Sequence, residues 1–78
     1  MTEHAPQAHY SMVIQWSDED QAYLVSLPDW AGAVLQPVTH GATYAEAARN
    51  GQDVLEMLIS EARDKGLPLP PVQALQPA

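Results

Sequence analysis

The stretch "THGATYAEAARNGQDVLEMLISEARDKG", residues 39–66, constrains this chain more than any other. Thr43 followed three residues later by Glu46 is a capping box, a start signal that satisfies orphan backbone N–H groups. From there Tyr44, Ala47, Ala48, Gly51, Val54, Leu55, Leu58, Ile59 and Ala62 recur at helical spacing and make one apolar stripe. Glu46, Arg49, Asn50, Asp53, Glu56, Glu61 and Asp64 line the opposite side, with Glu61 and Lys65 at the favourable i,i+4 spacing. Gly66 is a stop signal, and Pro68 lies just beyond it. An amphipathic helix of this length needs an apolar surface to lie on. The small residues Ala47, Ala48 and Gly51 predict that a sheet comes close to its first half.

Two strands are predicted upstream. In "YSMVIQW", residues 10–16, Tyr10, Met12, Ile14 and Trp16 point one way, while Ser11, Val13 and Gln15 point the other. "AYLVSL", residues 22–27, is rich in strand formers and is ended by Pro28, which cannot donate to a ladder. The short gap makes them an antiparallel hairpin with Asp18, Glu19 and Asp20 at its tip. "DWAG" reads as a second turn, and "AVLQPV", residues 33–38, as a third strand that is an edge or ends at Pro37. A further short strand is expected around Val72–Leu75. The sum is an α+β two-layer domain, an antiparallel sheet of three to four strands with one long helix on one face. One domain is expected, its ordered core about residues 9–72. A loose start at residues 1–8 and a tail holding four of the seven prolines flank that core. The half-apolar outer face of the sheet predicts a homo-oligomer, dimer or tetramer.

Charge and composition exclude several chemistries. Ten acids against three bases give a net charge of −7. Only Arg49, Arg63 and Lys65 are available to displace counterions from phosphates, so direct nucleic-acid binding is not expected. An acidic surface instead steers a basic partner. Without cysteine there is neither a disulfide framework nor a cysteine–zinc site. No apolar run approaches the ~20 residues of a membrane span, and no signal-like start is seen, so a cytoplasmic protein is expected. A calcium loop opening at Asp18 would place Tyr23 where glycine must turn and Asp29 where a bidentate glutamate is required, so no metal is expected. Three acids at a solvated tip feel much the same water, whereas paired-carboxylate catalysis needs unlike environments. His4, His9 and His40 have no i,i+4 partner, and His40, placed at the start of the helical segment, has no nucleophile to serve. No phosphate loop is present among four scattered glycines. Trp16 is expected in the core and Trp30 as a partly exposed contact.

The order of these features, "VIQWSDEDQAYLVSLPDW", then "THGATYAEAARNGQDVLEMLI", then "KGLPLP", resembles the HicB-like antitoxin family of bacteria and archaea. The residues carrying the resemblance are Trp16, Glu19, Asp20, Tyr23, Val25, Leu27-Pro28, Trp30, Thr39-His40-Gly41, Thr43-Tyr44, Glu46-Ala47, Val54-Leu55-Glu56, Gly66, Pro68 and Pro70, covering about residues 10–71. The resemblance implies a partial ribonuclease-H-like fold and oligomerisation. It also implies neutralisation of a small basic ribonuclease, the HicA-type toxin, by covering its active site. Many relatives add a C-terminal DNA-binding domain, for which no sequence is seen here, and Gly32-Ala33 stands where many have Gly-Cys. The ribonuclease-H likeness implies no activity, since residues 11–15 hold no acid.

The resulting expectation is an antitoxin rather than an enzyme, with no cofactor, binding a basic ribonuclease toxin. Its candidate contacts are Asp18, Glu19, Asp20, Asp29, Trp30 and His40, all placed in turns. The alternative expectation is an oligomeric scaffold or small-ligand-binding protein without a toxin.

Overall fold

The computed structural model describes residues 9–73. Strands β1 (Val13–Ser17), β2 (Ala22–Ser26) and β3 (Thr39–Gly41) form one antiparallel sheet in the order β1-β2-β3, and helix α1 (Tyr44–Asp64) follows. The fold is α+β, three strands and one long helix. No helix among the described residues is long and apolar enough to cross a membrane.

Alternation decides which face of the sheet meets the helix. Ile14 pairs with Val25 and Trp16 with Tyr23, and Val25 and Tyr23 in turn pair with Thr39 and Gly41. These residues share the helix side. Val25 and Leu27 are fully buried, and Ala47, Trp30 and Ala62 complete the closed core. Residues of the other set, Val13, Gln15 and His40, face water. Two glycines set the distance of approach. A methyl group on Gly41 would fall on the backbone N of Ala47 and 2.7 Å from its Cα; one on Gly51 would lie 2.9 Å from Cγ1 of Val25 and 2.8 Å from Sδ of Met12. The helix therefore starts over β3 and crosses toward β1.

Both helix ends follow their sequence signals. Thr43 Oγ1 accepts from Glu46 N at 3.0 Å, while the Glu46 carboxylate reaches back to Ala42 N, one residue before the usual capping-box donor. At the far end Gly66 has φ +69°, Leu67 N donates to Ala62 O at 2.8 Å and Gly66 N to Arg63 O at 3.1 Å. That pair of bonds is a Schellman motif, which needs a left-handed residue at the glycine. The apolar stripe is half-buried or buried except at its first member, Tyr44, which is 63% exposed.

The third strand departs from expectation. Residues 33–38 form no strand; Val38 N donates to Val25 O at 2.8 Å, and the paired register with β2 begins at Thr39. After β2, a 3₁₀ turn over Pro28–Trp30 is extended by Ala33 N and Val34 N, both donating to Trp30 O, so the chain curls instead of extending. Pro37 has no N–H to contribute. The backbone of Leu27 is then served by a side chain: its N–H donates to Gln36 Oε1 and its carbonyl accepts from Gln36 Nε2, each at 2.9 Å. One amide thus stands in for a strand residue beside β2. Val72 lies in no regular element, and Leu75, the other end of the expected fourth strand, falls outside the described residues.

Candidate functional site

The hairpin tip is built from its own side chains. Four residues, Asp18–Gln21, join Ser17 to its partner Ala22. Asp20 N donates to Ser17 Oγ, which in turn donates to Asp20 Oδ2 at 2.8 Å, and Gln21 Nε2 donates to the carbonyl of Asp18 at 2.6 Å. Gln21 sits at φ +53°, a left-handed backbone that a residue with a Cβ adopts at a cost of ~1–2 kcal/mol. The crosslinks hold it there. Asp18, Glu19 and Asp20 are all exposed, as a solvated tip requires.

Beside the tip lies an aromatic ridge that the sequence reading did not assemble. Trp16 packs edge-on to Tyr23, ring centroids 5.1 Å apart, and Tyr23 lies 4.3 Å from Tyr44 with the planes tilted by 33°. The Trp16 indole Nε1–H donates to Asp18 Oδ1 at 2.7 Å, joining ridge to tip. Trp16 was expected in the core and is 48% exposed. It faces the helix side, as its alternation requires. However, β1 is the strand farthest from β3, and the helix begins over β3, so nothing helical covers this end of β1. The signal for the ridge was present in the sequence: a hairpin pairing Trp16 with Tyr23, and a tyrosine at the first helical position.

The expected contact residues divide among three places. Asp18, Glu19 and Asp20 share the tip. Asp29 and Trp30 follow the opposite end of β2, about 16 Å away at ~3.3 Å per strand residue. Trp30 is not an exposed contact: it is 4% accessible, packed edge-on against Tyr10 at 5.4 Å between centroids. Its Nε1–H is closed from water and has no hydrogen-bond partner among the described residues. The 3₁₀ turn after Pro28 carries it inward under the end of α1. Asp29 is a tie rather than a free charge. Its carboxylate accepts from Ser11 N at 2.8 Å and from Gln73 N at 3.2 Å, holding the segments before β1 and after α1 together. Tyr10 reinforces the same closure by donating to the Pro70 carbonyl at 2.6 Å. Partial burial, then the nearby Asp29 carboxylate, push the Tyr10 hydroxyl above its ordinary pKa of 10.0. His40 lies in β3, not in a turn, exposed and paired with Leu24 on the face away from the helix. Asn50 Nδ2 holds its carbonyl at 2.7 Å.

A half-open cleft of about 130 Å³ lies between Trp30, Val34, Leu58, Ala62 and Leu67, with the exposed Glu61–Lys65 pair (3.3 Å) at its rim. Among the described residues, no three histidine or acidic side chains are grouped to hold a metal ion. Comparison with protein-family models, with curated proteins and with solved structures finds no match to this chain.

Proposed function

We propose that this chain is a binding module of the antitoxin kind, HicB-like in the order of its features, that neutralises a small basic ribonuclease by covering part of its cationic surface. The reading rests chiefly on the tip: three solvated carboxylates, two of them (Asp18 and Asp20) held by internal hydrogen bonds, border exposed aromatic area. Fixed charges of one sign accelerate encounter with an oppositely charged protein, and adjacent apolar rings supply the area that, once desolvated, slows its release. The net charge of −7 acts in the same direction. Asp29, Trp30 and His40 leave the contact list on this reading. The first two support the fold, and His40 faces the other side of the sheet.

The test is coexpression with any small basic protein encoded beside this gene. A complex should survive purification, and growth arrest by the neighbour alone should be relieved. Replacing Asp18, Glu19 and Asp20 together by lysine should abolish both effects, and replacing Glu19 alone, which makes none of the tip's hydrogen bonds, should weaken the complex with an unchanged thermal midpoint. A harmless neighbour with no isolable complex overturns the reading. A second reading, an oligomeric scaffold for a small ligand, draws on the cleft beside Trp30; saturable thermal stabilisation by a small apolar compound would favour it.

A further inference from the structure

We propose that the Trp16–Tyr23–Tyr44 ridge, with Asp18 at its edge, is a cradle for an arginine guanidinium presented by a protein partner. The inference rests on reading the tip as a partner surface, and it names the group that surface receives.

The rings are arranged for a planar cation. Tyr44 has one face toward Tyr23, 4.3 Å away, yet 63% of it remains accessible, so its other face is open to water. Trp16 is 48% accessible and is fixed at its polar edge by the 2.7 Å bond to Asp18. That bond has two effects. It favours one orientation of the indole, so less freedom is lost when a ligand stacks on it, and it sets a carboxylate at the end of an aromatic surface. Ring faces attract cations through their quadrupole, tryptophan most strongly. A guanidinium stacks on a ring while pairing its N–H fork with a carboxylate, and is more weakly hydrated than an ammonium. An aliphatic partner would gain nothing from Asp18. An anionic partner would meet Asp18, Glu19 and Asp20.

The probe is a short glycine-spaced peptide bearing two arginines, compared with its citrulline counterpart, which has nearly the same shape without the charge. Binding is read from the indole N–H resonances of nitrogen-15-labelled protein, where exposed Trp16 and buried Trp30 give separate signals. The arginine peptide should shift the Trp16 signal saturably, and the citrulline peptide should not. Asp18→Asn removes the charge beside the Trp16 face while leaving an amide oxygen to accept from the indole, and it should weaken the arginine peptide by about two- to fivefold. Equal shifts by both peptides, no shift at Trp16, or an unchanged affinity in Asp18→Asn would each overturn the proposal. The titration involves no toxin. A failed coexpression therefore leaves it standing, and a failed titration leaves the antitoxin reading to the carboxylates alone.

Discussion

At the scale of single residues, two glycines separate packing that can yield from packing that cannot. A methyl group on Gly41 meets backbone, the N and Cα of Ala47 in the first turn of α1. Backbone there is fixed by the Thr43 cap, so the helix start and β3 would have to move apart. Gly41→Ala should cost about 3 kcal/mol or more, the upper end of overpacking. At Gly51 the intruding atoms belong to side chains, the flexible end of Met12 and one methyl of Val25. Met12 can move aside, but Val25 is fully buried and stiff at χ1, so up to ~1 kcal/mol of helix propensity is set against a clash of ~1–3 kcal/mol, for a net loss of about 1–2 kcal/mol. Urea unfolding midpoints at unchanged slope measure both. A Gly51→Ala variant less stable than Gly41→Ala would show that buried Val25 yields less than the start of the helix does.

At the scale of elements, what was legible in the sequence was whatever is specified locally. The helix was read within a few residues because Thr43, Glu46 and Gly66 each do their work within one turn of their own position. The first two strands followed from alternation and from Pro28. The third strand was misplaced because its specification is not local: Gln36 bonds to Leu27 through a side chain, a pairing that period-two reasoning does not describe. Its removal gives a direct test. Leu27 is fully buried, so Gln36→Ala leaves its N–H without a partner and its carbonyl with Trp30 N alone, at a cost of ~1–3 kcal/mol. The helix stop is a second test. Gly66→Ala places a Cβ in the left-handed region and should cost ~1–2 kcal/mol. Helical circular dichroism should change little in the native state, because the residue lies beyond Asp64, the last residue of α1. Thermal midpoints of the two variants give the costs.

At the scale of the whole molecule, the aromatic residues divide the domain into two ends with different tasks. Alternation placed Trp16 on the covered side of the sheet but did not say where the cover stops, and Trp30 was read in a turn as an exposed contact, so their exposures were exchanged. Trp30 with Tyr10 closes the end where the outlying segments meet, while Trp16 with Tyr23 and Tyr44 is left open beside the acids. One tie at the closed end requires Tyr10 to remain protonated, since its hydroxyl donates to the Pro70 carbonyl. Its folded pKa lies above the ordinary value of 10.0, because of burial first and the Asp29 charge second. The folded state therefore holds this proton more tightly than the unfolded chain does. The associated stability is fully present below pH 10.0 and drains away as pH rises through the higher folded value. Tyr10→Phe removes both the bond and this titration. The variant should be less stable by ~1 kcal/mol at neutral pH, and its deficit should shrink above pH 10 as the wild-type protein loses the same contact. Chemical unfolding of both proteins between pH 7 and 11 measures the difference, in which the titration of other groups largely cancels. A deficit that stayed constant across that range would mean that the hydroxyl contributes nothing beyond its packing.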